Sequence, residues 1–208
     1  MWKAVQPWLF PVECLGCRRS GTALCAGCAP GVVQRETTIL GGVAVTALGA
    51  YAGLLREAIV AMKRGERAYL DAFAPLVADV LEPDCILVPL PTTRARRAAR
   101  GFDQAVELAR RAAALRGAAV SLLLAKRGAP QRGRDRAARI GIHGRFSAKS
   151  GAAPLPAVTL IDDVCTTGAT LRDAVAALDA AGIGVREAVV LAQTPPGRNH
   201  HRVAAVLA

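Results

Sequence analysis

The chain has 208 residues, 52% of them apolar and 4% aromatic, which is enough for one well-cored domain plus a small appendage and too apolar for a disordered chain. No run of 18 apolar residues occurs, and the N-terminal stretch has neither an extended apolar centre nor a small-residue cleavage site, so no membrane span, no signal peptide and a cytoplasmic location are expected. The formal charge of +11 is concentrated: residues 94–145 hold 14 Lys/Arg against 3 Asp/Glu, and the rest of the chain has 13 of each sign.

Two CxxC pairs open the chain, Cys14 with Cys17 and Cys25 with Cys28, separated by seven residues. Thiolates two residues apart on a tight turn face one point. Four of them complete a tetrahedral structural zinc site with no open catalytic position. Two disulfides and an iron–sulfur cluster are the alternatives, and a reducing cytosol disfavours the disulfides. Residues 1–31 are therefore expected as a four-cysteine, zinc-ribbon-like unit and 32–208 as the main domain. Trp2, Trp8, Leu9 and Phe10 are expected to pack the small unit against the large one.

Residues 32–52 are apolar and β-branched with a Gly41-Gly42 turn, which predicts one or two strands. A helix is predicted over 53–63, with Leu54, Leu55, Ala58, Ile59 and Met62 on its apolar face and Lys63-Arg64-Gly65 at its end. Lys63 and Arg64 read as a solvated helix end, the alternative being reach to an anionic ligand. A second helix is predicted over 69–81 and a buried strand over 85–90.

A basic loop follows, with Arg94, Arg96, Arg97 and Arg100 within seven residues, running into a helix over 102–115. Such a cluster at a strand end suits an anionic ligand, the alternative being a solvated basic turn. The localised charge equally suits a funnel for one highly anionic small molecule. A second strand is predicted over 118–125, then a glycine-rich basic loop over 126–145. A loop of that length in a compact domain is usually functional or disordered.

The most informative stretch is 158–171, VTLIDDVCTTGATL. Residues 158–161 have the character of a buried parallel strand. Asp162 and Asp163 follow, then the small, hydroxyl-rich Thr166, Thr167, Gly168, Ala169 and Thr170. A helix begins with Leu171, Ala174, Val175 and Leu178 on one face. In an open α/β sheet the end of such a strand is where ligands sit. The turn offers backbone N–H groups and a helix N-terminus to a phosphate. The two carboxylates suit a vicinal diol or Mg²⁺. Phosphate beside diol describes a ribose 5-phosphate. Beyond residue 192 a turn and a candidate edge strand over 203–207 are expected, with His200 and His201 as loop residues.

IDDVCTTGAT resembles the 5-phosphoribosyl-1-pyrophosphate (PRPP) motif of type I phosphoribosyltransferases. The resemblance implies an α/β fold with a parallel-sheet core flanked by helices. It implies PRPP binding with Mg²⁺ by Asp162, Asp163, Val164, Cys165, Thr166, Thr167, Gly168, Ala169 and Thr170. Ala169 stands where that family often has a second glycine. The loop after the first core strand is implied to contact pyrophosphate, through Arg94, Arg96, Arg97 and Arg100. The loop over 126–145 is implied to close over the reacting centre.

The whole plan more closely resembles one branch, the ComF competence-protein family. PWLFPVECLGC with its second CxxC, the AMKRGE segment, VPLP, RRAARGFDQA, KRGAPQRG and IDDVCTTGAT stand in that family's order. Gln131 and Arg139 fit its central loop, and Ile142 stands where Asn is common. Two functions are implied. One is transfer of phosphoribose from Mg·PRPP to an acceptor. The other is a non-catalytic accessory role in DNA uptake, binding a nucleotide or DNA and docking a DNA helicase or other competence protein. Residues 94–145 contain no Tyr or Trp, a weak basis for stacking single-stranded DNA.

Overall fold

The computed structural model describes residues 12–126, 145–149 and 156–194. Its elements in chain order are α1 (Ala29–Val32), β1 (Glu36–Leu40), β2 (Val43–Ala47), α2 (Gly53–Lys63), α3 (Ala68–Ala78), β3 (Ile86–Pro89), α4 (Arg94–Arg100) and α5 (Gln104–Arg116). They continue with β4 (Ala119–Val120), β5 (Leu124–Lys126), β6 (Phe146–Ala148), β7 (Val158–Cys165), α6 (Ala169–Asp179) and β8 (Val185–Gln193).

Val158, Thr159, Leu160 and Ile161 are all fully buried, as a largely apolar run in a doubly covered strand requires. They belong to a six-stranded sheet in the order β1-β2-β8-β7-β3-β4. β1 and β2 form an antiparallel hairpin, and β2, β8, β7, β3 and β4 run parallel. The hairpin turns at Gly41 and Gly42, whose φ values of 60° and 84° suit glycine, which adopts them without strain.

Side chains alternate across the sheet and build two cores. Ile161, Leu87, Val189 and Leu191 meet Ile59, Leu70, Phe73 and Leu108 from α2, α3 and α5. Leu160, Val88 and Val190 meet Leu171, Ala174 and Leu178 of α6, with Phe146. The fold is thus a mixed α/β structure with a mostly parallel central sheet flanked by helices. The cysteine-bearing segment contributes to the first core, since Ala23 is buried in it and Leu15 packs against it.

Four expectations are corrected. β8 has no counterpart among the strands predicted from sequence, yet it lies between β2 and β7 in the sheet. The basic loop is a helix, α4, because Arg and Ala are strong helix formers, the Thr93 hydroxyl caps it through Arg96 N–H at 3.3 Å, and Gly101 at φ 77° ends it. The strand expected over 118–125 is two pieces: β4 pairs with β3, while β5 pairs with β6 in a separate two-stranded sheet. β7 continues through the acidic pair to Cys165 rather than stopping at Ile161.

The expectations for Trp2, Trp8, Leu9, Phe10, residues 127–144, His200, His201 and 203–207 lie outside the described residues. Among the described residues no helix is long and apolar enough to cross a membrane.

Candidate functional site

β3 and β7 are parallel neighbours, with Pro89 opposite Ile161, and Leu90 N–H donates to Ile161 C=O at 2.9 Å. The end of β3 therefore lies beside Ile161, directly before the acidic pair, and β7 runs on to Cys165. Each opens into a helix through a short polar segment, α4 after β3 and α6 after β7. Between them is a cavity of about 430 Å³.

Asp162, Asp163, Val164, Thr166 and Thr170 line the cavity from the β7 side. Leu90, Pro91, Thr92, Arg96, Arg100, Asp103 and Gln104 line it from the β3 side. Lys63, Lys126, Tyr51 and Phe146 complete the wall. Four cations and three carboxylates thus face one volume, with the carboxylates of β7 separated in sequence from the arginines of α4.

The acidic pair is electrostatically loaded. Asp163 N–H donates to Asp162 Oδ1 at 2.9 Å, and Lys63 Nζ lies 3.0 Å from Asp163 Oδ2. Burial, and next the Asp163 charge, push the Asp162 carboxyl up to about 8, against the opposing pull of the Asp163 N–H, Lys63 and Lys126. The Lys63 ammonium thus neutralises one of two adjacent carboxylates. Carboxylate oxygens are the donors hard cations such as Mg²⁺ prefer.

The turn after β7 has one strict requirement. Gly168 has φ 72°, and a Cβ there would lie 2.8 Å from Leu40 Cδ1. Thr167 Oγ1 accepts from Ala169 N–H at 3.4 Å, and Arg145 Nη1 donates to Thr170 Oγ1 at 3.0 Å.

Of the expected ligand residues, Asp162, Asp163, Val164, Thr166, Thr170, Arg96 and Arg100 come together at the cavity. Thr167, Gly168 and Ala169 form the turn and the start of α6 without lining it. Cys165 is buried in the second core, where burial and the Asp162 charge raise its thiol. Arg94 and Arg97 are exposed and stand apart from the lining.

Lys63 is not a solvated helix end: it lines the cavity, paired with Asp163. Tyr51, Asp103, Gln104, Lys126 and Phe146 carry no ligand assignment from sequence. Tyr51 arrives through pairing of Ala50 with Gln193 at the end of β8, a strand the sequence does not announce. Asp103 has a visible signal, a carboxylate directly before a helix.

The four N-terminal cysteines form the second site. Their sulfurs all lie within 4.8 Å of one another, with Cys17 and Cys25 Sγ 3.7 Å apart. Sulfurs at about 2.3 Å from a tetrahedral zinc lie roughly 3.8 Å apart. A Cβ on Gly16 would meet Cys28 Sγ at 2.8 Å, so the glycine makes room for the sulfur cluster. All six described cysteines are free thiols rather than disulfides.

The cluster is also polarised. Backbone N–H groups, chiefly those of Cys17 and Cys25, lower the Cys14 thiol to about 6. Hydrogen bonds with Cys25 and Cys17 raise Cys28 to about 12. Four thiols this close resist full ionisation alone, and a dication relieves that. The four cysteines could hold a metal ion such as zinc. A scan against models of known protein families and a search of curated proteins each found no match.

Proposed function

We propose that the chain is a phosphoribosyltransferase-like protein that binds Mg·PRPP and transfers phosphoribose to an acceptor nucleophile. The observation that carries this reading is the cavity's arrangement: Asp162, Asp163, Thr166 and Thr170 at the end of β7, with Arg96 and Arg100 at the end of the neighbouring β3. In this reading Asp162 and Asp163 accept hydrogen bonds from the two ribose hydroxyls. The hydroxyls of Thr166 and Thr170, with N–H groups at the start of α6, take the 5-phosphate. Arg96 and Arg100 balance the charge that develops on pyrophosphate as it leaves. No residue of the 162–170 stretch is an obvious general base, which fits a dissociative step driven by leaving-group stabilisation.

Asp162 and Asp163 would also hold Mg²⁺, which supplies charge neutralisation beside the anionic ligand. Zinc in the cysteine cluster has a structural role. The type I transferase fold and the ComF resemblance agree with this assignment and are part of it.

Arg94 and Arg97, exposed outside the cavity, favour a second reading, an accessory protein that binds DNA or a nucleotide and docks a partner such as a helicase. Salt separates the two. DNA affinity through several phosphates falls steeply as salt rises, while Mg·PRPP binding follows Mg²⁺ and the acidic pair.

The test is pyrophosphate release from PRPP with a panel of acceptors, with Asp163→Asn as control. Release that needs Mg²⁺ and is lost in the variant supports transfer. No release from any acceptor, with PRPP still bound, overturns the enzyme reading and favours the accessory one.

A further inference from the structure

α4 carries the arginines but none of its residues is buried. It has seven residues, too few for a helix to hold itself in water. Something else must place it against the cavity.

Phe102, buried in the first core just beyond α4, anchors the exit of the segment, and two adjacent side chains at the start of the next helix add to it. Asp103 Oδ2 accepts from Thr92 N–H at 2.9 Å, just before α4 begins. Gln104 Oε1 accepts from Arg100 Nη1 at 2.9 Å, at the last residue of α4. The entry and the exit of the arginine segment are therefore both tied to one dipeptide. α5 anchors that dipeptide, since its Ala105, Leu108, Ala109 and Ala112 are buried.

The dipeptide is costly for the fold. Asp103 and Gln104 are 9% and 3% exposed, yet Asp103 Oδ1 and Gln104 Nε2 have no partner among the described residues. An apolar side chain at either position would remove that unpaired atom and, with it, the bond to Thr92 N–H or to the Arg100 guanidinium. A buried polar atom left without a partner asks for a reason, and the hold that the other atom of each side chain has on α4 supplies one.

We propose that Asp103 and Gln104 are positioning residues that fix α4 so that Arg96 and Arg100 meet the pyrophosphate end of the ligand. The inference rests on the PRPP reading of the cavity and extends it to residues that need not touch the ligand. Asp103 sets the loop through Thr92, and Gln104 sets the guanidinium of Arg100.

Calorimetric titration of the full, zinc-loaded chain tests this, with inorganic pyrophosphate and ribose 5-phosphate as separate probes in the presence of Mg²⁺. Gln104→Leu should weaken pyrophosphate binding about tenfold, the effect of losing one oriented charge-assisted contact, and leave ribose 5-phosphate within about twofold. The double variant with Arg100→Ala should lose no more than Arg100→Ala alone, because the two act as one unit. Asp103→Asn, which keeps an oxygen for Thr92 N–H, should recover most of what Asp103→Ala loses.

Undiminished pyrophosphate binding in Gln104→Leu overturns this assignment alone. So does an equal loss of both ligands, which marks a general structural role. Wild-type protein that binds neither ligand overturns the PRPP reading and this inference with it.

Discussion

Replacing Asp162 with asparagine should stabilise the ligand-free protein and, in the proposed PRPP reading, abolish Mg·PRPP binding. The carboxyl stands on a largely buried strand beside a second carboxylate, and burial followed by the Asp163 charge raises it from 3.8 to about 8. A raised pKa means that the folded state holds the proton more tightly than the unfolded chain. The stability linked to that proton is complete below about pH 4 and is lost as pH climbs through about 8. At ~1.4 kcal/mol per pKa unit, the rise from 3.8 to about 8 sets a ceiling of ~6 kcal/mol. Asp162 keeps some solvent through the cavity it lines, so about 1–3 kcal/mol at pH 8 is expected. For a chain of this length 1 kcal/mol moves Tm by about 2–4 °C. The variant should therefore melt several degrees above wild type at pH 8. The gap should narrow as pH falls and close near pH 4. Thermal melts across that range, in magnesium-free buffer with zinc retained, measure it. A variant no more stable than wild type at pH 8, or a gap independent of pH, would refute the reasoning.

Other substitutions test the frame around the site. Gly168→Ala forces a Cβ to within 2.8 Å of Leu40 Cδ1 at φ 72°, and should cost about 1–3 kcal/mol in denaturant unfolding. Glu107 ties α5 to the start of α3, pairing with Arg111 at 2.6 Å and with Arg67, and Arg111 holds its carboxyl below the usual range. Glu107→Gln should cost about 1 kcal/mol at pH 7, a deficit that fades as pH falls through the lowered carboxyl pKa, because the wild-type contribution is lost there. Cys28→Ser should reduce zinc from one per chain by metal analysis, whereas Cys85→Ser, outside the cluster, should leave the zinc content unchanged.

Some of this is legible in the chain and some is not, for physical reasons. The cysteine cluster is legible because two CxxC turns are local, and only their meeting is tertiary. β7 is legible because residues 158–161 are β-branched or apolar without a charge, a pattern that suits a doubly covered strand. The acids read as following that strand, because charge usually ends one. In fact Asp162 continues it, paired with Val190, since the cavity opens at that point.

β8 escapes a sequence reading although Ala188 to Ala192 is a buried apolar run, because the charged Arg186 and Glu187 stand near its start. α4 is hidden by its charge: the arginines draw attention as ligands, while Thr93 and Gly101 mark a helix. Lys63 cannot be placed from sequence. It meets Asp163 only because α2 and β7 converge at the same edge of the sheet, and no local pattern records that. The dipeptide Asp103-Gln104 is legible as a helix start, but not as the tether for the segment before it.

In the proposed function the cavity between β3 and β7 is a Mg-dependent PRPP site. Its most direct measurement is calorimetric titration of PRPP into zinc-loaded protein with and without Mg²⁺, for wild type and Asp163→Asn. The expected result is saturable one-to-one binding that requires Mg²⁺ and is lost in the variant. Binding that is indifferent to Mg²⁺ and to Asp163, or no binding by the wild type, would contradict it.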